Sequence, residues 1–136
     1  MNMPNTSASS DSGAHESEAL YDIAGGLCDA GNFSEALPMA LRLVLQAPGD
    51  PRFAFISATC LQRLKMHAPA ASLFGMAAIG TGALPAAAYR MGECLVALGQ
   101  PDDARQAFSA CQELCRSTDR GHDLMQACEQ ALEQLR

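Results

Sequence analysis

From Glu18 onward the apolar residues recur at helical spacing, and short polar or Gly/Pro-containing breaks divide the pattern into seven stretches. Leu20, Ile23, Ala24 and Leu27 form the first face, and Gly31, a residue that tolerates a left-handed backbone, ends that helix. The next helix is predicted from about Ser34 to Gln46, with Asn32 or Ser34 as its cap. Ala36, Leu37, Ala40, Leu41, Val44 and Leu45 lie on its apolar side. Pro38 falls early in this helix, where a missing N–H costs least. Ala47-Pro48-Gly49-Asp50-Pro51 reads as a loop. Further helices are expected at about Pro51 to Leu64, Pro69 to Ile79, Pro85 to Leu98, Pro101 to Cys115 and Arg120 to Leu135. Asp102 and Asp103 suit the positive end of the sixth helix better than an acid–base pair.

Superimposed on this is a step of 34 residues. It relates Tyr21, Phe55 and Tyr89; Leu27, Leu61 and Leu95; and Ala36, Ala70 and Ala104. The turn residues Gly31, Lys65 and Gly99 follow the same step. A 34-residue period is that of the tetratricopeptide unit, two antiparallel helices that stack into a curved solenoid. The fold class is therefore all-α: three tandem repeats at about 17–50, 51–84 and 85–118, then a capping helix at about 120–135 outside the register. Residues 1–17 are rich in Ser, Asn and Gly and poor in apolar side chains, so a disordered N-terminal arm is expected.

Repeat alignment separates packing positions from groove positions. Leu20/Ala54/Ala88, Ile23/Ser57/Met91 and Ala24/Ala58/Gly92 form the packing face of the first helices. Tyr21/Phe55/Tyr89, Gly25/Thr59/Glu93 and Cys28/Gln62/Val96 lie one residue off it, as a stripe down each first helix. First helices line the concave side of such solenoids. The expected peptide-binding groove is thus Tyr21, Gly25, Cys28, Arg52, Phe55, Thr59, Gln62, Arg63, Tyr89, Glu93 and Val96. The competing reading is that the three aromatics complete the core. Tyr favours sites with one dry and one wet side, which supports the groove.

Composition narrows the function. The net charge is −6, and phosphate binding needs a basic footprint, so nucleic acid is not the expected partner. The uncharged run from Ala68 to Tyr89 is broken by Pro69, Gly80, Gly82 and Pro85, so no membrane span is predicted there. Six cysteines fall on predicted helices among apolar residues, and no secretory leader is apparent. Reduced core thiols are expected rather than a disulfide framework. Cys111, Cys115 and His122 could be drawn as three metal ligands, but no C-x-x-C pair or fourth ligand accompanies them, so no metal or other cofactor is expected. His15, His67 and His122 lie in the arm or near turns, with no converging nucleophile and base and no phosphate loop, so an enzyme is not expected.

Three segments carry a resemblance: Leu20-Tyr21-Asp22-Ile23-Ala24, Gly31-Asn32-Phe33-Ser34-Glu35-Ala36, and above all Ala88-Tyr89-Arg90-Met91-Gly92-Glu93-Cys94-Leu95-Val96-Ala97-Leu98-Gly99. From Leu20 to Cys115 the chain resembles the class II chaperones of bacterial type III secretion systems, the SycD/LcrH/IpgC family, whose A-E-C-L-L-x-L-G segment matches the third stretch. Between the first two repeats Pro48, Asp50 and Arg52 match the family's L-D-P-x-D-x-R-Y-W, while Phe53 stands for Tyr, Ala54 for Trp, and His67 for an aromatic in the second turn. The resemblance implies a protein of the bacterial cytoplasm that holds secreted, pore-forming translocators through an extended P-x-L-x-P-like segment. It also implies a homodimer through the N-terminal repeat. Alternatives are a needle-subunit or effector chaperone of the same apparatus, or a generic tetratricopeptide adaptor. A clamp for a C-terminal carboxylate is disfavoured, because Tyr21 and Gly25 occupy sites where it needs Lys and Asn.

Overall fold

The computed structural model describes residues 6–118 and 121–136. Seven helices follow one another: α1 (Thr6–Asp29), α2 (Phe33–Gln46), α3 (Pro51–Arg63), α4 (His67–Ala77), α5 (Pro85–Ala97), α6 (Pro101–Thr118) and α7 (His122–Gln134). Each packs on the next, α1 also touches α3, and α5 also touches α7. This is the topology of three stacked helical hairpins closed by a seventh helix, a tetratricopeptide solenoid.

The turns inside the hairpins are copies of one another. Gly31, Lys65 and Gly99 all have positive φ, at 81°, 65° and 72°. At each turn the following N–H reaches back five residues: Asn32 N to Leu27 O (2.7 Å), Met66 N to Leu61 O (2.8 Å) and Gln100 N to Leu95 O (2.9 Å). This satisfies otherwise orphaned carbonyls at the C-terminus of α1, α3 and α5. Lys65 carries the strain that glycine avoids at the other two positions.

Small residues let the hairpins close. Ala24, Ala58 and Gly92 are buried on the first helices, and Ala36, Ala70 and Ala104 are buried on the second. Phe74 and Phe108 supply the bulk between them, joined by Leu61 and Leu95. The corresponding residue on α2 is Ala40, so the first hairpin has no such ring. At the far end Ala131, Leu132 and Leu135 of α7 pack on the main core, and Cys128 meets Cys111 and Cys115 of α6. Arg105 pins the end of α7 by donating to the Leu135 carbonyl at 3.1 Å. The expected capping role of the last helix is what the structure shows.

Several boundaries differ from expectation. The arm expected to be disordered over residues 1–17 is helical from Thr6, and residues 1–5 lie outside the described part. Low apolar content governs what a segment can bury, not whether its backbone can continue a helix. Consistent with this, residues 13–16 are exposed. Helix α4 starts at His67, placing Pro69 in its first turn, where backbone N–H groups have no intrahelical partner. Pro38 sits in the second turn of α2 and is exposed, and Asn32, although the cap residue, makes no side-chain capping bond. The expected start of α7 at Arg120 lies outside the described residues; the described helix begins at His122.

Candidate functional site

On α1, α3 and α5 the predicted stripe residues are half-buried, apart from the exposed Val96, and α7 meets α5. The three aromatics are half-buried, each with one edge on the core. Phe55 meets Phe74 edge-on with ring centres 5.5 Å apart, and Tyr89 meets Phe108 at 5.5 Å. These two rungs are thus braced by the second helix of their own hairpins, an arrangement of rings with favourable quadrupole contacts. Tyr21 has only Ala40 at the equivalent place and packs instead on Phe53 of α3, at 5.6 Å.

The polar members sort into three groups. At the N-terminal end, Arg52 donates to Glu18 (2.7 Å) and Asp50 (2.8 Å), while its guanidinium lies 5.0 Å from the centre of Tyr21 and 5.1 Å from that of Phe53. The Arg52 hydrogen bonds hold the Glu18 and Asp50 carboxyls below their ordinary range, and the two carboxylates in turn raise Arg52. Asp50 also caps α3 by accepting from the Arg52 N–H at 3.0 Å.

In the middle of the stripe the side chains are small or already engaged. Gly25 leaves open space where a Cβ would stand, and Cys28 reaches Cys60 with sulfurs 3.4 Å apart. The Thr59 hydroxyl donates to the Phe55 carbonyl one turn earlier, at 2.9 Å.

The third group gathers at Glu93. Gln62 donates to its carboxylate from α3 at 3.3 Å and Arg90 from α5 at 2.9 Å. Beside it a pocket of about 450 Å³ opens between α5, α6 and α7. Tyr89, Glu93 and Val96 line one side, Phe108 the base, and Ala131, Gln134 and Leu135 the other side. Burial, and then the Glu93 charge, raise the Tyr89 phenol above its ordinary value, so it stays a neutral hydrogen-bonding group. Arg63 stands apart from this group. Its guanidinium lies over the Phe33 ring at 5.0 Å, packed on the first residue of α2.

Sequence reasoning missed the 34-residue step Ala40/Phe74/Phe108, which decides how each rung is supported, and the part played by Phe53 and α7. The first was legible in the chain. The second needed the fold, because α7 lies outside the repeat register. Cys60, Cys94, Cys111, Cys115 and Cys128 are buried, and burial pushes Cys60 up to about 12 and Cys94 up to about 11. At neutral pH Cys60 and Cys94 therefore rest as thiols rather than thiolates. Among the described residues no cluster of His, Cys, Asp and Glu is arranged to hold a metal ion. Likewise, no described helix is long and apolar enough to cross a membrane.

A protein-family model described as "Anaphase-promoting complex, cyclosome, subunit 3" matches residues 29–111, from the end of α1 into α6. The chain belongs to this family. The matched span holds α2 to α5 and the first part of α6. No curated protein matches the sequence significantly. Solved structures match in fold. The Yersinia enterocolitica type III secretion chaperone SycD, in complex with a peptide of the translocator YopD, is 22% identical. The match covers 87% of this chain and 90% of that one, with a TM-score of 0.81. PcrH of Pseudomonas aeruginosa, in complex with the chaperone-binding region of PopD, is also 22% identical, covering 87% and 89% with a TM-score of 0.81. The first tetratricopeptide domain of Spaghetti (RPAP3), bound to the HSP90 peptide SRMEEVD, is 19% identical, covering 89% and 94% with a TM-score of 0.74. The fold of this chain is the fold of these peptide-binding solenoids.

Proposed function

We propose that this protein is a holding chaperone of a type III secretion system, acting in the bacterial cytoplasm. It binds an extended, Pro-spaced apolar segment of a translocator along α1, α3 and α5, and so keeps the client soluble and apart from its partners. The observation that carries this reading is the half-buried ladder of Tyr21, Phe55 and Tyr89, ending in the apolar-based pocket at Glu93. Pro-spaced segments have little conformational entropy left to lose, and apolar side chains can enter between the rungs. Backbone groups of the client would find Gln62 and Glu93 at the pocket mouth, Arg52 at the other end, and Gly25, Cys28, Thr59 and Val96 between. Arg63, engaged with Phe33, would guide the client's flank.

The matching SycD and PcrH structures are complexes with translocator segments, which supports a client of that class. The structure of Spaghetti with an acidic HSP90 peptide raises a different occupant. Two features speak against that occupant here. Arg52 is already paired with two carboxylates, and Arg90 is paired with Glu93. An acidic client would have to break pairs that a neutral apolar one leaves intact. The same reading takes the chain as a binding protein without catalytic activity and a homodimer through the first repeat as its free form.

The test is capture from the native cell. A secreted protein with long apolar helices should co-purify with the wild-type chain and be lost from a folded Tyr21→Ala/Tyr89→Ala variant. Recovery of a small needle subunit or an effector instead would redirect the assignment within the same apparatus. A folded double variant that retains the client would sink the groove.

A further inference from the structure

The groove stripe contains a thiol whose chemistry client binding does not use. Cys28, on α1, faces Cys60, on α3, with 3.4 Å between the two sulfurs. The two helices touch, so the pair bridges adjacent repeats rather than the arms of one hairpin. Cys60 is fully buried, whereas Cys28 is only half-buried. One turn before Cys28 the stripe holds Gly25, whose missing side chain leaves open space above the helix. A small solute can therefore approach Cys28 from the concave side while Cys60 waits behind it. The other buried thiols lack such an approach: Cys94, Cys111 and Cys128 are fully buried and Cys115 nearly so.

We infer that Cys28 and Cys60 form a peroxide-responsive thiol pair that closes a reversible cross-link between the first and second repeats. In the first step the Cys28 sulfur attacks one oxygen of a hydroperoxide. The O–O bond breaks, the sulfur becomes a sulfenic acid, and water or an alcohol leaves. In the second step the Cys60 sulfur attacks the Cys28 sulfur. The S–O bond breaks, the hydroxyl leaves with the Cys60 proton as water, and a disulfide remains. Two thiols are oxidised by two electrons in all, and one hydroperoxide is reduced. A disulfide needs sulfurs about 2.05 Å apart, so the pair must close by about 1.4 Å. The half-buried Cys28 meets the oxidant first because Cys60 is fully buried behind it, which orders the two steps. The link fixes the spacing of the first two groove helices. This inference does not depend on what the groove binds.

The test uses the reduced full-length chain treated with hydrogen peroxide, alkylated at intervals and mapped by mass spectrometry. The expected result is an intramolecular Cys28–Cys60 link, seen as a loss of about 2 Da between the two cysteine peptides. It should accumulate at least tenfold faster than oxidation at Cys94, Cys111, Cys115 or Cys128 and be fully reversed by dithiothreitol. Oxidation should also raise the melting temperature by roughly 5 °C, since the link closes a long loop of the unfolded chain. Cys28→Ser should abolish the link while keeping the melting temperature of the reduced protein. The inference is overturned if Cys28 proceeds to sulfinic acid with Cys60 free. It is also overturned if the first product is an intermolecular dimer, or if the buried thiols of α6 and α7 react as fast.

Discussion

The ring of Phe108 lies so close to the backbone of Gly92 that a Cβ at that position would come within 2.5 Å of its edge. Gly92 is buried on α5, and Phe108 is buried on α6 against Tyr89. The ring has no room to swing aside without disturbing that rung. Gly92→Ala should therefore lower stability, although Ala gains about 1 kcal/mol in helix propensity. Overpacking of a filled core costs about 1–3 kcal/mol and more where neighbours are fixed. A fall in melting temperature of several degrees is expected, and thermal unfolding followed by circular dichroism checks it.

At Lys65 the opposite outcome is expected. Its φ of 65° matches Gly31 and Gly99, and a left-handed backbone costs an L-residue about 1–2 kcal/mol. Lys65→Gly removes that cost and restores about half of it through greater freedom of the unfolded chain, leaving a net gain of roughly 0.5–1 kcal/mol. The reverse change at an equivalent turn, Gly99→Ala, should destabilise. Urea midpoints of the two variants should lie on opposite sides of the parent's.

Ser57 is fully buried on α3, and its hydroxyl has no hydrogen-bond partner among the described residues. A buried unpaired hydroxyl carries a desolvation cost of about 1–3 kcal/mol. Ser57→Ala should therefore be neutral or stabilising by about 1 kcal/mol, unlike most core truncations, and denaturant unfolding reads the difference.

The Asp50–Arg52 pair makes stability depend on acid in one direction. The Asp50 carboxyl titrates below its unfolded value, because Arg52 hydrogen-bonds its charged form. Its contribution is present above about pH 4 and lost as pH falls through the lowered folded value. Arg52→Ala should bring the Asp50 carboxyl back toward the ordinary range in an NMR titration and flatten the acid limb of the stability curve. The pair is partly open to solvent, which screens it, so the effect on stability near neutral pH should be small. Asp50→Ala should cost more, about 1 kcal/mol, because α3 also loses its cap.

The repeat frame was legible because its determinants are local and recur: a left-handed residue at 31, 65 and 99, and small residues where helices close. The stripe followed from helix geometry once the frame was set. What could not be read from spacing was support. Arg63 follows the stripe residue Gln62 in the chain, yet Phe33 lies near enough to capture its guanidinium. Arg52 reads as a free cation in the chain, but Glu18, 34 residues away, and the cap residue Asp50 converge on it. The pocket at Glu93 depends on Ala131 and Leu135, which belong to no repeat. Each of these is a long-range pairing that a one-dimensional pattern does not encode.

The rungs of the ladder do not all rest on the same ground. Tyr89 leans on Phe108 and Phe55 on Phe74, each inside its own hairpin, but Tyr21 leans on Phe53 across the boundary to the next. Pressure applied at Tyr21 is therefore passed straight into α3, whereas pressure at Tyr89 stays within the hairpin that holds it. An occupant thus loads the first two hairpins through touching rings, and the third is tied to the second through the Gln62–Glu93 hydrogen bond.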